Sequence, residues 1–415
     1  MARLACAQSV AVLFLLTLVA GCGPRGGEAP ATEPETLETR ADRLAHEILI
    51  VDTHVDVPYR LREKFADISR STDDGDFDYP RAEAGGLDAP FMSIYVPASY
   101  QETGGAKDVA DELIDMVRGF ISRWPDKFAT AESPEEIRVN HRARKISLPM
   151  GMENGAPLED DLANVQYFFD RGIRYITLTH SENNQICDSS YAEERQWHGL
   201  SPFGYEVVLE MNKVGIMVDV SHVSDETFDQ VIEVSRAPVI ASHSSCRALT
   251  PGFERNMSDE MIRKLAEKGG VIHINFGSSF LSETANRQMH DGQAEVRAYF
   301  EEHHLEPGSP EAKAYVADYI KDHPMQLATV EDVADHIDHV VQLVGVDHVG
   351  IGSDFDGVGP TTPTGLEDVS KYPNLIRVLL ERGYSDEDVK KIMGENTLRV
   401  WTEVQETASR LRAQG

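Results

Sequence analysis

The chain is poor in cysteine, in basic charge and in long apolar runs. Four cysteines stand among 415 residues, and no two of them form a CxxC pair. A cysteine-built metal cage of the zinc-finger kind is therefore excluded. Lys and Arg number 39 against 70 Asp and Glu, a formal net charge of −31 at pH 7. Nucleic-acid binding rests on basic groups that neutralise phosphate, so that class is set aside. A surface held to anionic lipid by charge is set aside for the same reason. Past the first twenty residues no apolar stretch approaches the roughly 20 residues that span a bilayer. A second linker and an internal repeat are also missing.

The amino-terminal region has its own pattern. Arg3 precedes an apolar run from about Val10 to Ala20, too short to span a membrane, followed by Leu18-Val19-Ala20-Gly21-Cys22. That order resembles a bacterial lipobox behind a signal-peptide core. The expectation is a signal peptide over 1–21, lipid on Cys22, and a flexible tether over 22–40 rich in Gly, Pro, Glu and Thr. It places the protein in the bacterial cell envelope, exported and anchored to a membrane by lipid. Of the remaining cysteines, Cys187 and Cys246 could pair, which spacing alone does not decide.

Residues 41–415 are long for one domain but within the range of a single α/β barrel. Apolar, β-branched runs occur at Ile48–Val55, Phe91–Val96, Ser147–Met152, Arg174–Thr179, Gly215–Val220, Ala237–Ala241, Gly270–Asn275 and His348–Gly352. Segments between them show helical spacing, as in Val207-Val208-Met211 and Met261-Ile262-Leu265. Ser201 and Ser258 read as helix N-caps. Eight strands alternating with helices imply a parallel sheet and suggest a closed (β/α)8 TIM barrel.

Reactive residues gather at one end of these runs. His54 and Asp56 close the first, Glu153 the third, His180 the fourth, His222 the fifth, His243 the sixth and Asp354 the eighth. Catalytic groups of barrel enzymes sit at the carboxyl ends of the strands. Any one of these histidines alone reads as a hydrogen-bonded core residue. As a set, imidazoles and carboxylates are the ligands zinc takes when cysteine is absent. Three histidines and two carboxylates suffice for two metals if one carboxylate bridges, and Glu153 is the candidate bridge. Asp56, Glu153, Asp354 and a hydroxide would balance the charge of two Zn2+.

Several segments then carry a resemblance. Val51-Asp52-Thr53-His54-Val55-Asp56-Val57-Pro58, Gly151-Met152-Glu153-Asn154-Gly155, Leu178-Thr179-His180-Ser181, Asp219-Val220-Ser221-His222-Val223-Ser224, Pro238-Val239-Ile240-Ala241-Ser242-His243-Ser244-Ser245 and Gly352-Ser353-Asp354-Phe355-Asp356-Gly357-Val358 resemble the renal (membrane) dipeptidases. These are a zinc-dependent branch of the amidohydrolase superfamily. The resemblance runs from about residue 45 to 402. It implies two Zn2+ per chain, one held by His54, Asp56 and Glu153, the other by Glu153, His222 and His243. It implies hydrolysis of a dipeptide by a hydroxide held between the metals, whose pKa they depress toward about 7. His180 would help stabilise the oxyanion, an effect of about 3 kcal/mol per well-placed donor. Asp354 would move the proton to the leaving amine. Asp356, two residues on, is expected to face the same way; the family match favours Asp354. Arg255 matches the family's carboxylate-binding arginine. The substrate amine would lie near Asp354.

One stretch departs from the mammalian pattern. Asn275-Phe276-Gly277-Ser278-Ser279-Phe280 stands where mammalian relatives carry tyrosines. The polar segment of about 281–322 is expected to cover the barrel mouth. The His303-His304 pair within it reads as solvated. Asp219 reads as a partner of a metal-bound histidine rather than a ligand. The family is known for accepting a D-residue at the carboxyl end, which makes L,D-dipeptides of the bacterial wall candidate substrates. The competing readings are a lactonase or other amide hydrolase, and a peptide-binding lipoprotein without activity. The oligomeric state is open, a homodimer being the candidate.

Overall fold

The computed structural model describes residues 35–414. The expected signal peptide, the lipidated Cys22 and the tether up to residue 34 lie outside the described residues. The end of the expected tether is folded: a helix spans Leu37–Glu47. Thr36 caps it, accepting a hydrogen bond from the Thr39 amide at 3.1 Å. Ala41, Leu44 and Ala45 bury one stripe of this helix. The compact body therefore begins at Thr36, five residues before the expected boundary.

Ten strands follow in chain order: β1 (Ile50–Val55), β2 (Leu87–Tyr95), β3 (Phe128–Ala129), β4 (Ile146–Ser147), β5 (Met150–Glu153), β6 (Ile173–Thr177), β7 (Met217–Asp219), β8 (Ile240–Ser244), β9 (Val271–Ile274) and β10 (Val349–Ile351). Eight of them close a parallel barrel in the order β1-β2-β5-β6-β7-β8-β9-β10. This is the expected (β/α)8 TIM barrel. The third expected strand, Ser147–Met152, is in fact two. Pro149 has no amide hydrogen to continue the ladder. Ahead of it β4 pairs with β3 in a separate small sheet, and behind it β5 joins the barrel. The sixth strand runs to Ser244 rather than ending at Ala241, which puts His243 inside it.

The helix N-caps at Ser201 and Ser258 form as expected, accepting from the amides of Gly204 and Met261. Leu49, Val51, Phe91, Tyr175, Met217, Ile240 and Val271 form one apolar cluster with Leu398, Trp401 and Val404 of the carboxyl-terminal helix. Several of these stand at or just before the first residues of their strands, so Trp401 closes the floor of the barrel. The opposite, carboxyl ends are left for polar groups. Among the described residues no helix is long and apolar enough to cross a membrane. The 281–322 segment forms two helices, Glu283–His303 and Pro310–Asp322, and His303 and His304 are exposed. Cys187 and Cys246 are separate, buried free thiols.

Candidate metal centre

Seven side chains expected from the sequence meet at the carboxyl ends of the strands. Glu153, the last residue of β5, lies at the centre. Its Oε2 is 3.5 Å from His54 Nε2, which is also 3.5 Å from Asp56 Oδ2. Its Oε1 is 3.1 Å from His222 Nε2, 3.2 Å from His243 Nε2 and 3.6 Å from His180 Nε2. The two carboxylate oxygens of Glu153 thus face two different groups of ligands. The His54 and His243 rings stack with centroids 3.8 Å apart, and His180 lies 4.3 Å from His222.

Chemically this donor set is short of hydrogens or a cation. His222 Nε2 and His243 Nε2 approach to 2.9 Å. His54 Nε2 and Asp56 Oδ1 are buried without a hydrogen-bond partner. Ligands about 2.1 Å from a tetrahedral zinc stand roughly 3.4 Å from one another. Three overlapping groups have ligating atoms within 4.8 Å of each other: His54, Glu153 and His243; Glu153, His180 and His222; His54, Asp56 and Asp354. The residues fit a metal.

Protonation favours the same conclusion at His222 and His243. At His54, burial is outweighed by Tyr175, Glu153 and Asp56, which hold its pKa well above the usual imidazole value when no cation takes the place of the proton. Burial holds the pKa values of His222 and His243 well below the usual imidazole value, and the Arg255 charge adds to it. Neutral imidazole is the form that ligates. Burial pushes Glu153 upward, but His54, His180 and the hydrogen bonds from His222 and His243 outweigh it. Glu153 stays ionised.

The ligands are held from behind. His243 Nδ1 is 2.7 Å from Ser242 Oγ, and that hydroxyl donates to Asp219 Oδ2 at 2.6 Å. Asp219 Oδ1 accepts the amides of Ser221 at 3.0 Å and Ser242 at 2.8 Å. Asp219 is therefore a partner behind His243, as expected. Asp52 makes a like clamp, its Oδ1 accepting the amides of His54 at 3.1 Å and Ser353 at 2.9 Å.

Asp354 and Asp356 do not face the same way, contrary to the strand-alternation argument. β10 ends at Ile351, and both aspartates sit at positive φ, 62° and 67°. Asp354 Oδ2 accepts from Asn275 Nδ2 at 2.8 Å. Burial, then the Asp56 charge, hold its pKa well above the carboxylate range. Asp356 is turned away and occupied, accepting from Arg60 Nε at 2.8 Å and from the Asp76 amide at 2.7 Å. Gly357 makes room: a Cβ there would collide with Asp354 Oδ1 and Asp56 Oδ2.

Arg255 is buried beside the cluster, 3% exposed. It donates to Ser244 Oγ at 2.7 Å and to the His243 carbonyl at 2.8 Å, while Nε has no partner. Its guanidinium lies 5.3 Å from the Phe280 ring centre. Three residues escaped the sequence reading. Tyr95, at the end of β2, has its ring 4.8 Å from His180. Tyr191, from a loop with no spacing signal, has its ring 5.8 Å from that of His222. Asn275, which positions Asp354, carried a signal that went unused: it follows β9 directly.

A parallel eight-stranded barrel with imidazoles and carboxylates converging at its carboxyl end defines a metal-dependent hydrolase of the TIM-barrel class. Comparison with known proteins narrows the class. The family model for membrane dipeptidase (peptidase family M19) matches residues 38–415. Dipeptidase tcpJ of Claviceps purpurea is 35% identical over 346 residues, covering 81% of this chain and 71% of that protein. The crystal structure of the probable dipeptidase PvdM of Pseudomonas aeruginosa superposes with a TM-score of 0.76 at 28% identity, covering 89% of this chain and 99% of that one. A metallopeptidase of Rhodobacter sphaeroides, solved with a phosphinate mimic of the dipeptide L-Ala-D-Ala, gives 0.70 at 25% identity, covering 86% and 99%. The chain belongs to the membrane dipeptidase family, and it is a metal-dependent dipeptidase.

Proposed function

We propose that the protein is a binuclear zinc dipeptidase in which Glu153 bridges the two ions. The carrying observation is that Glu153 Oε2 faces His54 while Oε1 faces His222 and His243. His54 and Asp56 complete one site, and His222 and His243 the other. Zinc so held supplies a water nucleophile at neutral pH and polarises the peptide carbonyl. The rest is work for the chain's own residues. Arg255 binds the terminal carboxylate through its guanidinium, which allows one residue beyond the scissile bond; reading the free amine as well would limit the substrate to two residues. His180, kept neutral by burial, donates to the carbonyl oxygen as it gains charge. Asp354, raised in pKa and steadied by Asn275, takes a proton from the nucleophile and returns it to the leaving amine.

The substrate class we assign is L,D-dipeptides, as released from bacterial wall peptide. The neighbour crystallised with an L-Ala-D-Ala mimic supports it. The export signal, lipidation of Cys22 and attachment to the cell envelope belong to the same reading. Elemental analysis of the purified protein with a panel of matched L,L and L,D pairs tests the core of it. Two zinc ions per chain are expected, lost together with activity in His222→Ala. Full activity with at most one metal would refute the binuclear site. A preference for L,L pairs above tenfold would refute the wall-peptide assignment and leave the dipeptidase untouched.

A further inference from the structure

A column of aromatic rings runs up the inside of the barrel from its floor to the metal ligands. Trp401, from the carboxyl-terminal helix, lies 5.4 Å from Phe91. Phe91 lies 5.5 Å from Tyr175, and Tyr175 lies 6.3 Å from His54. Trp401, Phe91, Tyr175 and His54 are all completely buried. The column fits only because β5 carries glycine beside it: a Cβ on Gly151 would overlap the Tyr175 ring. At its top the Tyr175 hydroxyl meets His54 Nδ1 at 2.7 Å.

That contact has a directional consequence. A neutral imidazole carries one hydrogen, and the nitrogen without it is the one that ligates. With a metal between His54 Nε2 and the carboxylates of Glu153 and Asp56, Nε2 is the bare nitrogen and Nδ1 carries the hydrogen. The group within reach of Nδ1 is the Tyr175 oxygen. The two other ligating histidines differ in this respect. His243 has the Ser242–Asp219 pair behind it, whereas His222 Nδ1 is buried with no partner. Metal-bound histidine depends on the acceptor behind it for its tautomer and its ring angle.

We propose that Tyr175 is a positioning residue for His54: its phenolic oxygen accepts the Nδ1 hydrogen, which leaves Nε2 free for metal, and the column over Trp401 sets its height. This rests on the binuclear reading above. The floor of the barrel, built by the last helix of the chain, is thereby connected through aromatic rings to the ligand His54. Tyr175 touches neither substrate nor metal, so its effect must pass through His54.

The test measures zinc affinity at both sites by chelator competition in wild type, Tyr175→Phe, His54→Ala and the double variant, with kcat and KM for one dipeptide. Tyr175→Phe keeps the ring and removes one oxygen. It is expected to weaken one of the two zinc equivalents by about 10- to 100-fold, the usual cost of losing an outer partner. The other equivalent should stay unchanged, and added zinc should restore kcat with KM near wild type. In the His54→Ala background the same substitution should have no further effect. Phe91→Leu, which leaves the hydroxyl but loosens the ring beneath it, is the second variant and should weaken the same equivalent by less. Unchanged affinities in both variants overturn the proposal. So does an equal loss at both sites, or a loss that persists without His54. Wild-type protein holding a single zinc would instead refute the binuclear reading, and the effect of Tyr175→Phe would then be read on that one equivalent.

Discussion

Replacing Arg255 by lysine separates a dipeptidase from every relative that does not read a free carboxyl end. Lysine is the informative choice because it keeps the positive charge that helps hold His222 and His243 neutral. What it loses is the planar fork, braced by Ser244 Oγ at 2.7 Å and the His243 carbonyl at 2.8 Å. Nε is buried and unpartnered, a donor left over for a carboxylate. A hydrogen bond to a charged group is worth about 1.5–3 kcal/mol. At about 1.4 kcal/mol per factor of ten, the wild type should prefer Ala-Ala to its carboxyl-terminal amide by roughly 10- to 150-fold in kcat/KM. Arg255→Lys should lose most of that preference, with the acid falling and the amide nearly unchanged. The assay is release of alanine from the two substrates under identical zinc. Equal hydrolysis of acid and amide by the wild type would refute the carboxylate role and favour a general amide hydrolase or lactonase.

Asp354→Asn should retain both metals and the fold but lose about 100-fold or more in turnover. Asp356→Asn should leave turnover within a few-fold and lower the melting temperature, since it abandons Arg60; the opposite ranking would exchange their roles. Asp76 gives a pH signature in stability. Its pKa is pushed up to about 6, first by burial and then by Asp356. A carboxyl raised in the folded state binds its proton more tightly there, so this group's contribution to stability falls as pH rises from about 4 to about 6. Asp76→Asn should therefore gain stability over wild type at pH 7, by at most about 3 kcal/mol, and none at pH 4. Equal urea midpoints at pH 7 would reject that. Cys22→Ser should abolish fatty-acid labelling of the protein in cells; labelling of both forms, or of neither, would reject the anchor.

The sequence made the barrel legible because parallel strands buried on both faces read as continuous apolar runs. All eight barrel strands fall in or beside an expected run, and His54, Asp56, Glu153, His180, His222 and His243 converge as their positions imply. The failures have local and distant causes. Pro149 divides a run that looks continuous, because the ladder bond it removes has no signature in hydropathy. Asp356 is drawn off by Arg60, 296 residues away in the chain. Alternation along a strand says nothing about such a partner. Tyr175 reads as one more β-former in Arg174-Tyr175-Ile176; its contact with His54 spans 121 residues. The helix at Leu37–Glu47 was hidden by charge, its stripe being built from two alanines and a leucine.

The turns at the barrel mouth explain how so many polar groups converge at the ends of the strands. Asn154, His222 and Asp354 all have positive φ, at 77°, 71° and 62°, and each lies within three residues of the end of its strand. An L-residue in this region costs on the order of 1–2 kcal/mol, so such turns persist only where neighbours enforce them. The neighbours here are identifiable. Asn154 Nδ2 is tied to the Val96 carbonyl at 2.9 Å. The Asp219 clamp fixes the amide before His222, and the Asp52 clamp fixes the amide before Asp354. Each clamp therefore does two jobs with one carboxylate oxygen: it joins neighbouring strands, and it turns the chain so that the next side chain points into the centre. The ligands assembled this way are set by the rims of β1, β5, β7, β8 and β10. Segments beyond the strands, such as the 283–322 helices, can then vary without moving the ligands.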